Sequence, residues 1–343
     1  MANDFSQNLR ILVAKIEDIP GTAESLDDAD FDVRIRNPEI TPIIEPDDEG
    51  SKWARGDHGE AEVVMGAQSG TIAFNIYCVW GGAVNTEPNW FKFAKGCGQS
   101  VVAYASTGLA LQPLKASDET TLTIWVYDIQ RGASPSAIVY KFAGCSGNMV
   151  IGAEGIGKPW IANFTFTGKL QDVEDVATAD IPVPFGLDTT SADKMLNNSM
   201  VIDNVSQKVT NFSLDVGNDV QPVFDQADDT GYSHFGIVAR APRFSCNPLL
   251  VPTTTDDVWG RITSGLTGVA STYALGIGDT GLDNKFYLTA PKAQLMTVAS
   301  ANREGLVNWD QTYKLLPNGV TGAVADGDLD EQVTWELLQG SRS

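Results

Sequence analysis

The residues best equipped for chemistry in this chain are arranged so that little chemistry follows. Gly152, Gly157 and Lys158 come within one residue of a phosphate-binding loop, but Pro159 stands where a hydroxyl should ligate magnesium. The WIANFTFTG that follows reads as strand, whereas such a loop must open a helix whose amides face the phosphates. A hairpin turn is expected there. Asp326, Asp328 and Asp330 imitate the start of a calcium loop, but Glu331 replaces the required glycine and Leu337 the closing bidentate glutamate. The two histidines, His58 and His234, lie in unrelated segments, so no Ser-His-Asp or two-His metal grouping assembles. Any pair of acids can be chosen from 44 carboxylates, so a glycosidase pair carries no information. Cys78, Cys97, Cys145 and Cys246 are far apart with no C-x-x-C pair, and read as small buried hydrophobes. The expectation is a protein that is not an enzyme, with no cofactor and no metal.

Composition bounds the alternatives. The 343 residues are 43% apolar, enough to bury a sizeable core, with 33 Gly and 16 Pro spread throughout. Segments rich in Thr, Val, Ile and aromatics between such breakers are the mark of short strands joined by turns. No run reaches the roughly 18 apolar residues of a membrane span, and MANDFSQNLRILVAKIED lacks a signal peptide's cleavage pattern, so folding in a cytoplasm is expected. The net charge of −21 opposes tight binding to nucleic acid, which needs Lys and Arg to neutralise phosphates.

The elements that must position any site are mostly strands. Along 69–82, Ile72, Phe74, Ile76 and Cys78 alternate with Thr71, Ala73, Asn75 and Tyr77, as in a sheet with one core face. FDVRIRNPEITPII reads as an edge-exposed strand region because of its prolines. Strands are also expected at 100–112, 120–129, 137–142, 148–151 and 160–170, with short helices at 87–97 and around Trp259. Residues 45–62 form a charged loop with seven acids and Trp53, too long and polar for an ordinary hairpin turn. A phrase is also repeated: NFTFTGKL at 163–170 and NWDQTYKL at 308–315 share Asn-aromatic-x-x-Thr-x-Lys-Leu. Each is preceded by an aromatic-rich strand, a small-residue turn and an apolar strand, at 138–151 and 284–298. A long-period repeat implies two copies of one module. The expected division is an N-terminal arm at 1–30, a first module at 31–175, a linker at 176–200, a second module at 201–320 and a C-terminal strand and tail at 321–343.

Four stretches together resemble the major tail tube proteins of long-tailed bacteriophages. They are NPEITPII (37–44), SGTIAFNIYCVWGG with the helix ending at Gly96-Cys97-Gly98, FTFTGKLQDVED (164–175), and VTNFSLDVGNDVQPVFD (209–225) followed by GIVARAPRFSCNPLL (236–250). The fused copies and the long 101–139 insert depart from single-module relatives. The resemblance implies a mainly β fold of two tandem β-sandwich or barrel modules, each flanked by a short helix. It implies that six modules form a ring whose strands join, so two-module chains should close as a C3 trimer with pseudo-sixfold symmetry. Stacked rings would form the tail tube of a virion, assembled in the host bacterial cytoplasm, through which double-stranded DNA passes without binding. An acidic lumen would repel the phosphates. Partners would be further copies of the chain and the tape-measure and tail-terminator proteins, with no membrane insertion. The 45–62 loop, with Asp47, Asp48, Lys52, Trp53 and Arg55, is the expected contact between rings. The alternatives are another virion part, such as a terminator or decoration protein, or a carbohydrate-binding β-sandwich using Trp53, Trp80, Trp90, Trp125 and Trp160.

Overall fold

The computed structural model describes residues 5–47, 64–83, 85–104, 108–114, 118–130, 136–188, 190–196, 198–263, 273–278, 286–317 and 335–340. The chain is mainly β, with two short α-helices among the described residues. In order, the strands are β1 (Phe5–Ile16), β2 (Arg36–Asp47), β3 (Val64–Tyr77), β4 (Gln99–Tyr104), β5 (Gly108–Pro113), β6 (Leu122–Gln130), β7 (Ala137–Ala153) and β8 (Ile161–Val176). There follow β9 (Ser199–Ile202), β10 (Val205–Gln207), β11 (Phe212–Asp215), β12 (Asn218–Phe224), β13 (Tyr232–Arg240) and β14 (Arg243–Cys246). The last are β15 (Tyr273–Gly278), β16 (Phe286–Arg303), β17 (Leu306–Leu315) and β18 (Glu336–Gly340). Helix α1 (Phe91–Gly96) precedes β4, and α2 (Val258–Thr263) precedes β15. No helix among the described residues is long and apolar enough to cross a membrane.

The period-two pattern on β3 does what its chemistry requires. Ile72, Phe74, Ile76 and the following Cys78 are buried, and their alternating neighbours face outward. Helix α1 then closes over that apolar face. Phe93 meets Phe74 edge-on, with ring centroids 4.8 Å apart, and lies 5.7 Å from Phe164 on β8. Trp90 at the helix start is fully buried, and its indole Nε1 donates to the Val79 carbonyl at 3.0 Å. Lys92 leaves the helix toward Asp32, at 2.5 Å.

The small-residue turns expected within 138–151 and 284–298 are both corrected, since β7 and β16 each run unbroken, β16 from Phe286 to Arg303. The small residues Gly144-Cys145-Ser146-Gly147 do not turn the chain between two strands; β7 runs unbroken from Ala137 to Ala153. A bulge between Ala143 and Ser146 absorbs the extra residue opposite β8. Gly144 takes φ +59 there, and a Cβ would meet the backbone of His234 at 2.8 Å. Two glycines and two small side chains therefore serve a bulge rather than a turn.

The large sheet has sixteen strands, with a continuous path β10-β9-β15-β16-β17-β14-β11-β7-β8-β3-β2. Off this path, β1 pairs β6, which pairs β7, while β18 bridges β16 and β5, and β5 pairs β4. Strands β12 and β13 form a separate antiparallel pair. A single apolar cluster runs from Leu12 and Ile72 in the first half to Leu288, Tyr313 and Leu337 in the second. All four cysteines are buried and free. Residues 5–16, expected within an arm, form β1, and the end of the expected linker enters the sheet as β9.

The N-terminal strand is held by a carboxylate as well as by its ladder. Glu17 is buried and accepts from Gly21 N at 2.7 Å, Gly144 N at 2.8 Å, Thr123 Oγ1 at 2.9 Å and Thr121 Oγ1 at 2.5 Å. It thereby ties the chain after β1 to the start of β6 and to the β7 bulge. Removing the carboxylate leaves several buried donors unpaired, each costing about 1–3 kcal/mol. Glu17→Ala should destabilise the protein by about 3 kcal/mol or more, read as a lowered melting temperature. A melt unchanged from the parent would show that the donors find other partners.

Candidate assembly interface

The repeated phrases occupy the same place in two long hairpins. NFTFTGKL lies on β8, the return strand of the β7–β8 hairpin, and NWDQTYKL lies on β17, the return strand of β16–β17. Opposite the shared threonine, Thr167 pairs Ser146 and Thr312 pairs Thr297, and in both hairpins the register shifts just beyond that pair. Beyond each hairpin the next strands also correspond. The path reads β16-β17-β14-β11 and then β7-β8-β3-β2, one four-strand order written twice, head to tail. Walking outward from the shared frame along the pairings matches Lys169 with Lys314, Ser69 with Arg243, and Ile43 with Asp215. On the other side it matches Val150 with Ala301.

The two four-strand units meet where β11 pairs β7. Phe212, Ser213, Leu214 and Asp215 lie opposite Ala153, Gly152, Ile151 and Val150. Val216 N continues the joint by donating to Met149 O at 3.1 Å, and the Val216 side chain is 1% exposed. β7 can accept this second neighbour because β6 covers only the other end of the same strand, from Ala137 to Cys145. Asn148 braces the joint on both sides. Its Nδ2 donates to Asp215 Oδ1 at 2.9 Å, and its Oδ1 accepts from Asn218 N at 3.0 Å.

The β12–β13 hairpin continues β11 and β14 past the joint and lies over the first unit. Ser146 Oγ donates to Phe235 O at 2.6 Å, and Asn218 Nδ2 donates to Cys97 O and Gly147 O. Arg240 bridges to Glu119 and to the Leu114 carbonyl. At the hairpin tip Asp228 meets Lys169 at 2.7 Å, leaving the Lys169 side chain 5% exposed. Burial pushes the Asp228 carboxyl upward, but bonds from Lys169 and Thr230 outweigh it and hold the group below its ordinary 3.8. Burial lowers the His234 imidazole, with Glu17 opposing and Lys169 adding to that shift.

Among the described residues, the eight-strand path leaves β2 unpaired along its outer edge and β16 unpaired along half of its own. β2 pairs only β3, and Ile43 and Ile44 on it are exposed, Ile44 by 47%. Pro42 pairs Gly70 on β3; having no N–H, it fits only where that group would face the open edge. At the other end, β15 covers β16 only as far as Ala293, and Met296, Thr297, Ala299, Ser300 and Asn302 are exposed. Arg243 and Lys314 are also exposed, with no ion-pair partner among the described residues.

The sheet face away from α1 is polar along four cross-strand rows, with charge in the second and third of them only. The rows are Thr41–Thr71–Thr167–Ser146, Glu39–Ala73–Thr165–Asn148, Arg36–Asn75–Asn163–Val150–Asp215–Arg243–Lys314, and Tyr77–Ile161–Gly152–Ser213–Ser245–Thr312. The acids Glu39 and Asp215 stand against Arg36, Arg243 and Lys314. A shallow concavity of about 400 Å3 on this face is lined by residues such as Asn163, Asn211, Ser213, Ser245 and Asn247.

Of the residues expected to contact a neighbouring ring, Asp47 ends β2, while Asp48, Lys52, Trp53 and Arg55 lie outside the described residues. Trp90 and Trp160, named for a sugar platform, are buried in the core. Asp326, Asp328 and Asp330 also lie outside the described residues, and no grouping of potential metal ligands occurs among those described. Burial pushes all four cysteine thiols upward, which keeps them from acting as nucleophiles. The Lys169–Asp228 seat and the Asn148 brace escaped sequence reasoning, although the frame's lysine was a visible signal at both Lys169 and Lys314.

A carboxyl held below its unfolded value contributes stability that is complete above that value and is lost as pH falls through the folded one. The hairpin seat should therefore be intact above about pH 4 and loosen below it, read as faster amide exchange in β12–β13 than in β7. Asp228→Asn should remove that acid dependence; an unaltered pH profile would assign it to another group.

No protein-family model matches the chain, and no curated protein matches it.

Proposed function

We propose that the chain is a structural protein that assembles head to tail into closed rings, and that these rings stack as the tail tube of a long-tailed bacteriophage. The observation that carries this reading is the strand path. A four-strand unit is written twice in one direction and joined within the chain by β11 and β7; among the described residues the outer edge of β2 and the half of β16 beyond Ala293 are left unpaired. A protein with two open, complementary edges must protect them or pair them, and closure around a ring removes both. If each unit is one sixth of a circle, three chains complete it as a C3 trimer. The virion location, the tape-measure and terminator partners, and the absence of catalysis follow from the resemblance in sequence and belong to this same proposal.

The polar face refines the conduit part of the reading. If it lines the channel, DNA meets mostly hydroxyls and amides, with three cations and two acids in the four rows, rather than a wall of carboxylates. The cations of these rows, Arg36, Arg243 and Lys314, are too few to retain a phosphate backbone, which requires many acting together. Many of the acids instead bunch in segments such as 17–32, outside these rows. The burial of Trp90 and Trp160 removes two members of the sugar platform on which a carbohydrate-binding alternative would rest.

Electron microscopy of the purified protein at rising concentration tests the proposal. Rings with a central channel, stacking into open-ended tubes, are expected, together with no shift of double-stranded DNA in a gel at low salt. A particle that sediments as a compact monomer at high concentration would sink the reading. Rings that never stack would move it to a terminator.

A further inference from the structure

We infer that the open edge of β2 seats on the open half of β16 in a second copy, in the register that β11 adopts on β7, and that Lys314 receives the second copy's β2–β3 hairpin as Lys169 receives Asp228. This deepens the proposed self-assembly and rests on it.

The chain supplies its own template. Since Ile43 corresponds to Asp215 and Val150 to Ala301, the observed Asp215–Val150 pair becomes Ile43 against Ala301 of the second copy. The same walk sets Thr41 against Arg303 and Pro42 against Asn302. Exposure agrees with that assignment. Ile44 corresponds to Val216, which the joint buries to 1%, yet Ile44 in the lone chain is 47% exposed. On the receiving side, Thr297 is exposed where its counterpart Ser146 is buried beneath Phe235.

Charge points to the same occupant. In the first unit the row containing Ser69 and Lys169 is covered by the β12–β13 hairpin, and Lys169 is neutralised by Asp228. The matching row of the second unit carries Arg243 and Lys314, both exposed and without an ion-pair partner among the described residues. The segment that corresponds to the covering hairpin is the one joining β2 to β3, and residues 45–62 carry seven acids against Lys52 and Arg55. An acidic hairpin arriving beside two lysine- and arginine-borne charges is attracted in the right orientation. The joint is thus lateral, within a ring, and not the ring-to-ring contact that the loop's length suggests.

The test combines a register probe with a charge probe on the full chain. In Ile43→Cys/Ala301→Cys, mild oxidation should link copies into a covalent ladder on a non-reducing gel. The native cysteines are buried and do not compete. Ile43→Cys/Ala299→Cys, shifted by two residues, should link several-fold less. Lys314→Glu should raise the concentration for half-assembly about tenfold with an unchanged melt, while Pro42→Leu, which restores the residue type at Leu214 and an N–H, should lower it. Rings seen by microscopy without the Ile43–Ala301 link, or with the shifted pair linking better, would overturn this register while leaving the assembly reading standing. Assembly indifferent to Lys314→Glu would overturn the lysine seat. The absence of both rings and links would overturn the assembly reading as well.

Discussion

A β-strand presents N–H and C=O groups along two edges, and the architecture turns on how β7 disposes of its own. One edge is satisfied along nearly its whole length by β8. The other is divided, with β6 taking one end and β11 the other. Because a single strand serves both neighbours, the second half of the chain cannot rotate away from the first without breaking backbone hydrogen bonds. Burial of Phe212 and Leu214 against the common core adds apolar area to that ladder. The β12–β13 hairpin then lies where it does because it simply prolongs β11 and β14.

The division of β7 depends on its bulge. Without the shift near Gly144, strict alternation would put Phe142 and Met149, seven residues apart, on opposite faces. The shift lets Phe142 and Met149 both face the core while the strand bends between them. It also brings Gly144 N to Glu17 and the backbone of His234 against Gly144, so the N-terminal strand, the bulge and the hairpin share one polar knot. The register shift at Leu295/Thr297 in β16 occurs beside the same frame threonine, so β16 bends in the corresponding place.

What could be read from sequence was whatever depends on local periodicity. The alternation through Ile72, Phe74, Ile76 and Cys78, the edge character signalled by Pro42, and the paired phrases all reported real strands. What could not be read depends on partners distant in sequence. Gly144-Cys145-Ser146-Gly147 has the composition of a turn, and only pairing with β8 makes it a bulge. Glu17 stands among the seven acids of 17–32, a composition that reads as solvated charge, whereas three of its four donors, from Thr121, Thr123 and Gly144, lie more than a hundred positions away. The role of Lys169 was hidden for the same reason, since its partner Asp228 arrives from the other half.

If copies assemble as proposed, the joint already made within the chain changes what the open edges need to accomplish. Within the chain the joint forms at an effective concentration set by the connecting segment, commonly millimolar for a short tether. Every second joint of a ring built from such chains is therefore made before two copies meet. The joints between copies can then be weaker without compromising the ring. Pro42 fits this division of labour, because it deletes one donor from the outward edge of β2 where Leu214 keeps its own on β11. An edge weakened in that way resists indiscriminate strand addition, and leaves selection to features a stray strand lacks: Ile44, exposed where its counterpart Val216 is buried, and a neighbouring segment of the charge that Arg243 and Lys314 attract.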